Sequence, residues 1–276
     1  MSKIYTFPSP ASYSVDIASN QCKRKEFIME NKLINLNNLS KSYGSKTAVD
    51  GISLSVNEGE MLALLGVNGA GKTTTIKMLS CLTRPSSGTA QVCGCDVVKD
   101  TDKVKELVGI STQDTAIARN LSVEENLNFM AGIYLDPKKY SKKDISARIE
   151  KIIADFKLDE VRKTKSCKLS GGWQRKLSIA MAIIGDPKVI LLDEPTLGLD
   201  VLARRELWRA IEQLKKERTI ILTTHYMEEA EALADRIAIM ISGKIVMTGT
   251  LKELEEKTGQ KGLENVFVSV AEGGTL

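Results

Sequence analysis

Residues 66–73 read Gly66-Val67-Asn68-Gly69-Ala70-Gly71-Lys72-Thr73. This is the spacing G-x-x-x-x-G-K-[ST], and its setting matters as much as its letters. The apolar run Met61–Leu65 before it predicts a strand, and a helix is predicted to begin at Gly71. Glycines let the backbone turn its N–H groups inward around phosphate oxygens, and the helix aims the positive end of its dipole at the same anion. Lys72 is placed to reach the β- and γ-phosphates, and the Thr73 hydroxyl, followed by Thr74, is placed to bind Mg²⁺. In a strand–loop–helix setting a mere glycine-rich turn is not a competing reading.

A phosphate cradle requires acids elsewhere in the sheet. Val189-Ile190-Leu191-Leu192-Asp193-Glu194 is an apolar strand that ends in two carboxylates. Asp193, closing the buried strand, takes the Mg²⁺-holding role, and Glu194 is placed to orient or deprotonate an attacking water. The single histidine, His225, ends the β-rich run Thr219–Thr224. If that run lies beside the Asp193 strand, His225 sits at the carboxyl edge of a parallel sheet, where α/β proteins bind their ligands. Leu169-Ser170-Gly171-Gly172 opens a helix carrying Trp173-Gln174-Arg175. Two glycines at a helix start make a second anion site, although Ser170 as an ordinary N-cap is the simpler reading. One chain does not need two cradles for one γ-phosphate, whereas a site closed across two chains would need both.

Outward from these motifs, β-like runs occupy 33–39, 52–56 and 88–92. Residues 122–134 and 143–157 carry apolar side chains at helical spacing, and Ser122 with Glu125 fits a capping box. A buried helix is expected over Lys176–Ile184. Strands at 189–192, 219–223 and 237–241 then alternate with helices at 203–216 and 228–234, which implies a parallel sheet covered by helices. The chain has 276 residues, 42% hydrophobic and 27% charged, ordinary values for a globular α/β protein. Aromatics at 5% and a net charge of +4 argue against a base-stacking surface, so no nucleic acid is expected as a partner. Five cysteines without regular spacing point to a reducing cytosol rather than a disulfide framework, and Cys93-Gly94-Cys95 offers too few ligands for a metal. No apolar run approaches the roughly 18–20 residues that cross a bilayer. Residues 1–29, rich in Ser, Pro, Asn and Lys, read as a disordered extension. The purine-rich codons of Arg24-Lys25-Glu26 make Met29 the expected natural start, a true flexible extension being the alternative.

Together these residues resemble the ABC ATPase family. The P-loop at 66–74, Gln113 as the Q-loop, Ser170-Gly171-Gly172 of the signature, Val189–Glu194, Asp200 in the D-loop and His225 as the switch fall in the family's order. Tyr43, 23 residues before Gly66, matches the aromatic on which adenine stacks. The resemblance covers about 32–256 and implies a P-loop NTPase, RecA-like parallel-sheet core with an antiparallel β subdomain and a helical subdomain at about 115–185. On this reading 30–256 is the ATPase domain and 257–276 a C-terminal extension. It also implies ATP and Mg²⁺ as cofactors, with Gln113 sensing Mg²⁺ and water. ABC domains pair head to tail, so Ser170 and Gly172 would meet the γ-phosphate held by a partner's Lys72, a homodimer being the simplest case. The helical subdomain would face an integral-membrane permease, placing the chain on the cytoplasmic face of the membrane.

Two positions depart from the pattern. Trp173 stands for the signature's common glutamine and donates only one hydrogen bond. Val67 replaces a frequent proline in a loop that works through its backbone. The Trp-type signature, the run His225-Tyr226-Met227-Glu228-Glu229-Ala230-Glu231 and the closing Leu263-Glu264-Asn265-Val266-Phe267 are similar to bacterial exporters with a separate permease, whose usual cargoes are drugs, antibiotics, lipids and polysaccharides. The contrasting class is a soluble ABC ATPase acting on ribosomes or DNA. The translation type carries two ABC domains, and the DNA-repair type splits its motifs around a long coiled coil. Here one P-loop and one signature are present, and 57 residues separate Gln113 from Ser170. A non-hydrolysing sensor would not need both Glu194 and His225.

Overall fold

Three uninterrupted apolar runs form the middle of the main sheet because each is covered on both faces. The computed structural model describes residues 32–273; the expectations for residues 1–29, Met29 included, lie outside them. Strands β1 (Lys32–Tyr43), β2 (Lys46–Asn57) and β3 (Met61–Leu65) lead to helix α1 (Lys72–Leu79). Next come β4 (Ser87–Val92), β5 (Cys95–Asp96), α2 (Thr101–Leu107) and β6 (Val108–Ser111). Three helices follow, α3 (Val123–Tyr134), α4 (Lys142–Asp155) and α5 (Gly171–Ala182). Then β7 (Val189–Asp193), α6 (Val201–Lys215), β8 (Thr219–Thr224), α7 (Met227–Leu233) and β9 (Arg236–Ile241) alternate. The chain closes with β10 (Lys244–Gly249), α8 (Leu251–Thr258) and α9 (Leu263–Ala271).

The main sheet has the order β10-β9-β3-β8-β7-β6, with β10 antiparallel to β9 and the other neighbours parallel. Alternate residues of its central strands point to opposite sides. Ala63, Leu65, Ile190, Leu192, Ile220 and Leu222 enter one core with α3, α4, α5 and α6. Leu62, Leu64, Val189, Leu191 and Ile221 enter the other, with β1, β2, β4 and α1. The second sheet, of order β2-β1-β4-β5, pairs β1 antiparallel with β4 and β4 antiparallel with β5. The molecule is thus a P-loop NTPase core carrying an antiparallel sheet on one side and a helical group on the other.

Local chemistry sets the helix starts. Ser122 and Glu125 form the reciprocal capping box of α3, and Ser141 with Asp144 does the same for α4. Helix α5 begins at Gly171, as expected of a helix opened by 169–172, and the buried helix expected over Lys176–Ile184 is its continuation. Ser170 occupies its N-cap position, yet its side chain makes no capping hydrogen bond. The outer hydroxyl is therefore not spent on the helix it precedes.

Candidate nucleotide site

The loop after β3 is held from below by close backbone packing. A Cβ on Gly66 would lie 2.3 Å from the Met240 carbonyl oxygen of β9, so no larger residue fits there. Gly71, the N-cap of α1, has φ +106 and brings its Cα against the Ala48 carbonyl of β2, which a Cβ would meet at 2.5 Å. Two further bonds tie the loop to the neighbouring turn and to β2: Gly243 N–H donates to the Ala70 carbonyl at 3.0 Å, and Asp50 N–H to the Gly243 carbonyl at 2.9 Å.

Lys72 is 5% exposed. Its ammonium donates to the Gly66 carbonyl at 2.7 Å and the Val67 carbonyl at 3.2 Å, and lies 3.1 Å from Glu194 Oε1. The other Glu194 oxygen is 2.7 Å from His225 Nδ1. Glu194 has a left-handed backbone, φ +49, a conformation that costs a non-glycine residue and is kept where the surroundings over-determine it. What fixes it is Thr223 of β8, whose carbonyl accepts from Glu194 N–H at 3.2 Å and whose hydroxyl accepts from the same N–H at 3.0 Å. That hydroxyl in turn donates to Asp193 Oδ1 at 2.6 Å. Thr223 is a site residue that motif reading passes over; the only signal in the sequence is a polar residue near the end of an apolar strand.

Asp193 Oδ1 also accepts from the Thr73 hydroxyl at 3.1 Å. A carboxylate and a hydroxyl within this distance are the hard oxygen donors that Mg²⁺ takes, so these residues fit the ion. Tyr43, Asn68, Gly69, Ala70, Gly71, Lys72, Thr73, Thr74, Gln113, Glu194 and His225 line one cleft of about 480 Å³, joined by Lys46, Ala48 and Leu197. Tyr43 is half-exposed, with the Lys41 ammonium 5.0 Å from its ring centroid. Gln113 follows β6 at the far wall. Its carbonyl and that of Thr112 accept from the Arg175 guanidinium at 2.7 and 2.6 Å, which ties this loop to α5. Burial pushes the Arg175 pKa down, against the attraction of Asp193, Asp114, Glu229 and Glu194.

Ser170, Gly171, Gly172 and Asp200 stand outside this cleft. Gly171 and Gly172 instead face Leu199 and Ala203, beside Asp200, whose carboxylate caps α6 by accepting from Leu202 N–H and Ala203 N–H, each at 2.9 Å. The start of α5 and the Asp200 turn thus form one surface, separate from the cleft in this chain. Trp173 lies partly buried next to them, with the Lys176 ammonium 4.4 Å from its ring centroid and Glu206 2.7 Å from that ammonium.

Comparison with known proteins gives the context. The sequence model described as "ABC transporter" matches residues 49–197. The chain is 44% identical over 214 residues to ABC transporter A family member 9 of Dictyostelium discoideum, covering 78% of this chain and 25% of that protein. It is 39% identical over 230 residues to the phospholipid-transporting ATPase ABCA3 of Homo sapiens, covering 82% of this chain and 13% of that protein. The chain therefore spans about a quarter or less of the length of these relatives. Among solved structures, the ATP-binding subunit of an ABC transporter superposes with a TM-score of 0.77 at 28% identity, over 87% of this chain and 99% of that one.

Proposed function

This chain belongs to the ABC transporter family as an ATP-binding, ATP-hydrolysing domain, and from that premise we propose that it dimerises on ATP and drives transport, in the export direction, through a separate membrane permease. The observation that carries the catalytic part is the convergence on one cleft of Lys72, Glu194 and His225, with Asp193 and Thr73 at its floor.

The geometry supports the following roles. Tyr43 at the mouth offers a ring face to adenine, and the backbone of 66–74 cradles the phosphates. Lys72, aimed by two loop carbonyls, places its charge on the β/γ-phosphates. Thr73, Asp193 and Gln113 would hold Mg²⁺, which when bound neutralises charge on the phosphate oxygens. Glu194 accepts the proton of the attacking water or orients it. His225, hydrogen-bonded to one Glu194 oxygen, fixes which way the carboxylate points. Ser170, Gly171 and Gly172, with a free hydroxyl and free N–H groups at the start of α5, would meet the γ-phosphate of a second copy, and Asp200 lies in the same surface. This is the support for a dimer with two shared sites.

A permease reading is supported by the helical group at about 115–185. Phe129 and Ile133, one turn apart on α3, are 58% and 60% exposed, an apolar pair suited to a protein partner. Among the described residues no helix is long and apolar enough to cross a membrane, so the chain would sit on the cytoplasmic face through that partner. The direct test is co-purification of the chain with the product of a neighbouring gene encoding several membrane spans, followed by ATP-driven transport in vesicles. A chain that instead sediments with ribosomes or binds DNA, with no membrane partner, would overturn the transport reading.

A further inference from the structure

We propose that α6 positions His225 by a two-point clasp on the segment behind it, with Arg204 gripping the Tyr226 ring and Trp208 gripping the Glu229 carboxyl. The inference rests on the reading that His225 acts on Glu194.

Arg204 and Trp208 are four residues apart on α6, so they share a face. The Arg204 guanidinium carbon lies 4.6 Å from the Tyr226 ring centroid, a cation–π distance. On its own chain neighbour, Tyr226 stands 4.1 Å from the His225 ring, tilted by 38°. The Tyr226 N–H is tied back to the Thr224 hydroxyl at 3.0 Å, so the ring pair is anchored to the end of β8. One turn further along α6, Trp208 Nε1 donates to Glu229 Oε1 at 3.1 Å. Glu229 is wholly buried on α7.

The Glu229 environment is unusual for a residue with only a packing role. Its Oε2 and the Thr196 hydroxyl are both buried without a hydrogen-bond partner among the described residues. Thr196 lies two residues past Glu194, and the Thr196 and Thr224 hydroxyls lie beside the Glu229 carboxyl. Burial pushes the Glu229 pKa up, against the pull of those hydroxyls and of Trp208. The Glu229 carboxyl thus joins the segment leaving Glu194, the segment leaving His225, and α6 in one pocket. Because α6 starts at the Asp200 cap, the helix that holds the clasp is also the helix that begins at the signature-side surface. The clasp therefore gives His225 an orientation that depends on where α6 sits.

The test compares Tyr226→Leu, Glu229→Leu and Glu229→Gln in the full chain, reading kcat, KM for ATP and nucleotide affinity. Tyr226→Leu and Glu229→Leu should lower kcat by about 10- to 100-fold, the scale of a misplaced catalytic group, with KM and affinity unchanged. Glu229→Gln keeps the shape and an acceptor oxygen for the Trp208 N–H, and should leave kcat near the unmodified rate. The decisive arm is the pair Tyr226→Leu with His225→Ala: once His225 is gone, losing the Tyr226 ring should cost nothing further. If Tyr226→Leu lowers activity equally with and without His225, or if KM rises and affinity falls along with the loss of kcat, the clasp is overturned. Tyr226 is only part-buried, so its variant remains informative if Glu229→Leu fails to fold. Should His225→Ala itself turn over normally, it is the underlying reading of His225 that falls. A dead His225→Ala beside fully active Tyr226→Leu and Glu229→Leu overturns the clasp alone.

Discussion

Lys72 and Glu194 form an ion pair at 3.1 Å whose side chains are 5% and 6% exposed. The cation meant for phosphate and the carboxylate meant for water thus neutralise each other. On the proposed reading, a phosphate drawn to Lys72 would compete with Glu194 for the same ammonium and free the carboxylate, which His225 would still hold by its other oxygen. Binding and activation of the base would then be linked through one side chain. In addition, removing either partner leaves a buried charge short of compensation.

Lys72→Ala removes the ammonium bonded to the Gly66 and Val67 carbonyls. ATP turnover should fall by about 100-fold or more, the scale of losing a charge-stabilising donor at a reacting phosphate. Nucleotide affinity, followed with a fluorescent ATP analogue, should fall with it. Turnover at the unmodified rate would refute the cradle assignment.

Glu194→Gln keeps the shape and removes the base together with one negative charge. Hydrolysis should drop by about 100-fold or more while ATP binding survives, because Lys72 is released from its carboxylate partner. With ATP trapped, light scattering should report a shift from monomer to dimer. Normal hydrolysis in this variant would remove Glu194 from the catalytic role.

The separation of Ser170–Gly172 from the cleft is the basis of a complementation experiment. Lys72→Ala and Ser170→Arg should each be inactive as homodimers. Mixed dimers, verified by pull-down, gather both defects into one site and leave the other intact, so ATPase activity should reappear. Cysteines placed beside positions 72 and 170 should crosslink between chains only, and in an ATP-dependent manner. A crosslink within one chain would end the shared-site scheme.

Glu124 on α3 is held by Arg162 and Lys163, which bring its pKa down to about 2 from 4.5. A carboxyl with a lowered folded-state value stabilises the fold fully above its unfolded value and loses that contribution as pH falls through the folded one. Thermal melting of Glu124→Gln should therefore lie below that of the unmodified chain above about pH 5, and the two curves should converge towards pH 2. A difference that persists unchanged at low pH would show that the pairing is not what Glu124 contributes.

Much of this architecture is legible in the sequence because the strongest signals are the ones with the fewest competing explanations. The runs at β3 and β7 and the Ile220–Leu222 stretch of β8 are continuously apolar, as strands covered on both faces require, and Ser122–Glu125 announces its helix by reciprocal bonding. Other parts are hidden for physical reasons. Strand β6 is four residues long and contains Gly109, whose missing side chain admits the Ala182 carbonyl; a Cβ there would lie 2.2 Å from it. Helix α9 is short and mostly apolar, so its period does not separate it from a strand, and only packing of Leu263, Val266 and Phe267 into the core reveals it. Of the site, the motif residues are legible by spacing, whereas Thr223, Trp208 and Glu229 act through contacts that exist only once β7, β8, α6 and α7 stand side by side.

Close packing of Gly71 against Ala48, with the bonds from Gly243 to Ala70 and from Asp50 to Gly243, ties the base-side sheet to the phosphate loop. So tied, the two would work as a gauge with fixed jaws. If the span between Tyr43 and Lys72 stays fixed, di- and triphosphates of the same nucleoside would seat at the same mark, and what differs between them would be met past the last jaw, at Glu194 and His225. Spent and fresh nucleotide would then be distinguished by length rather than by fit.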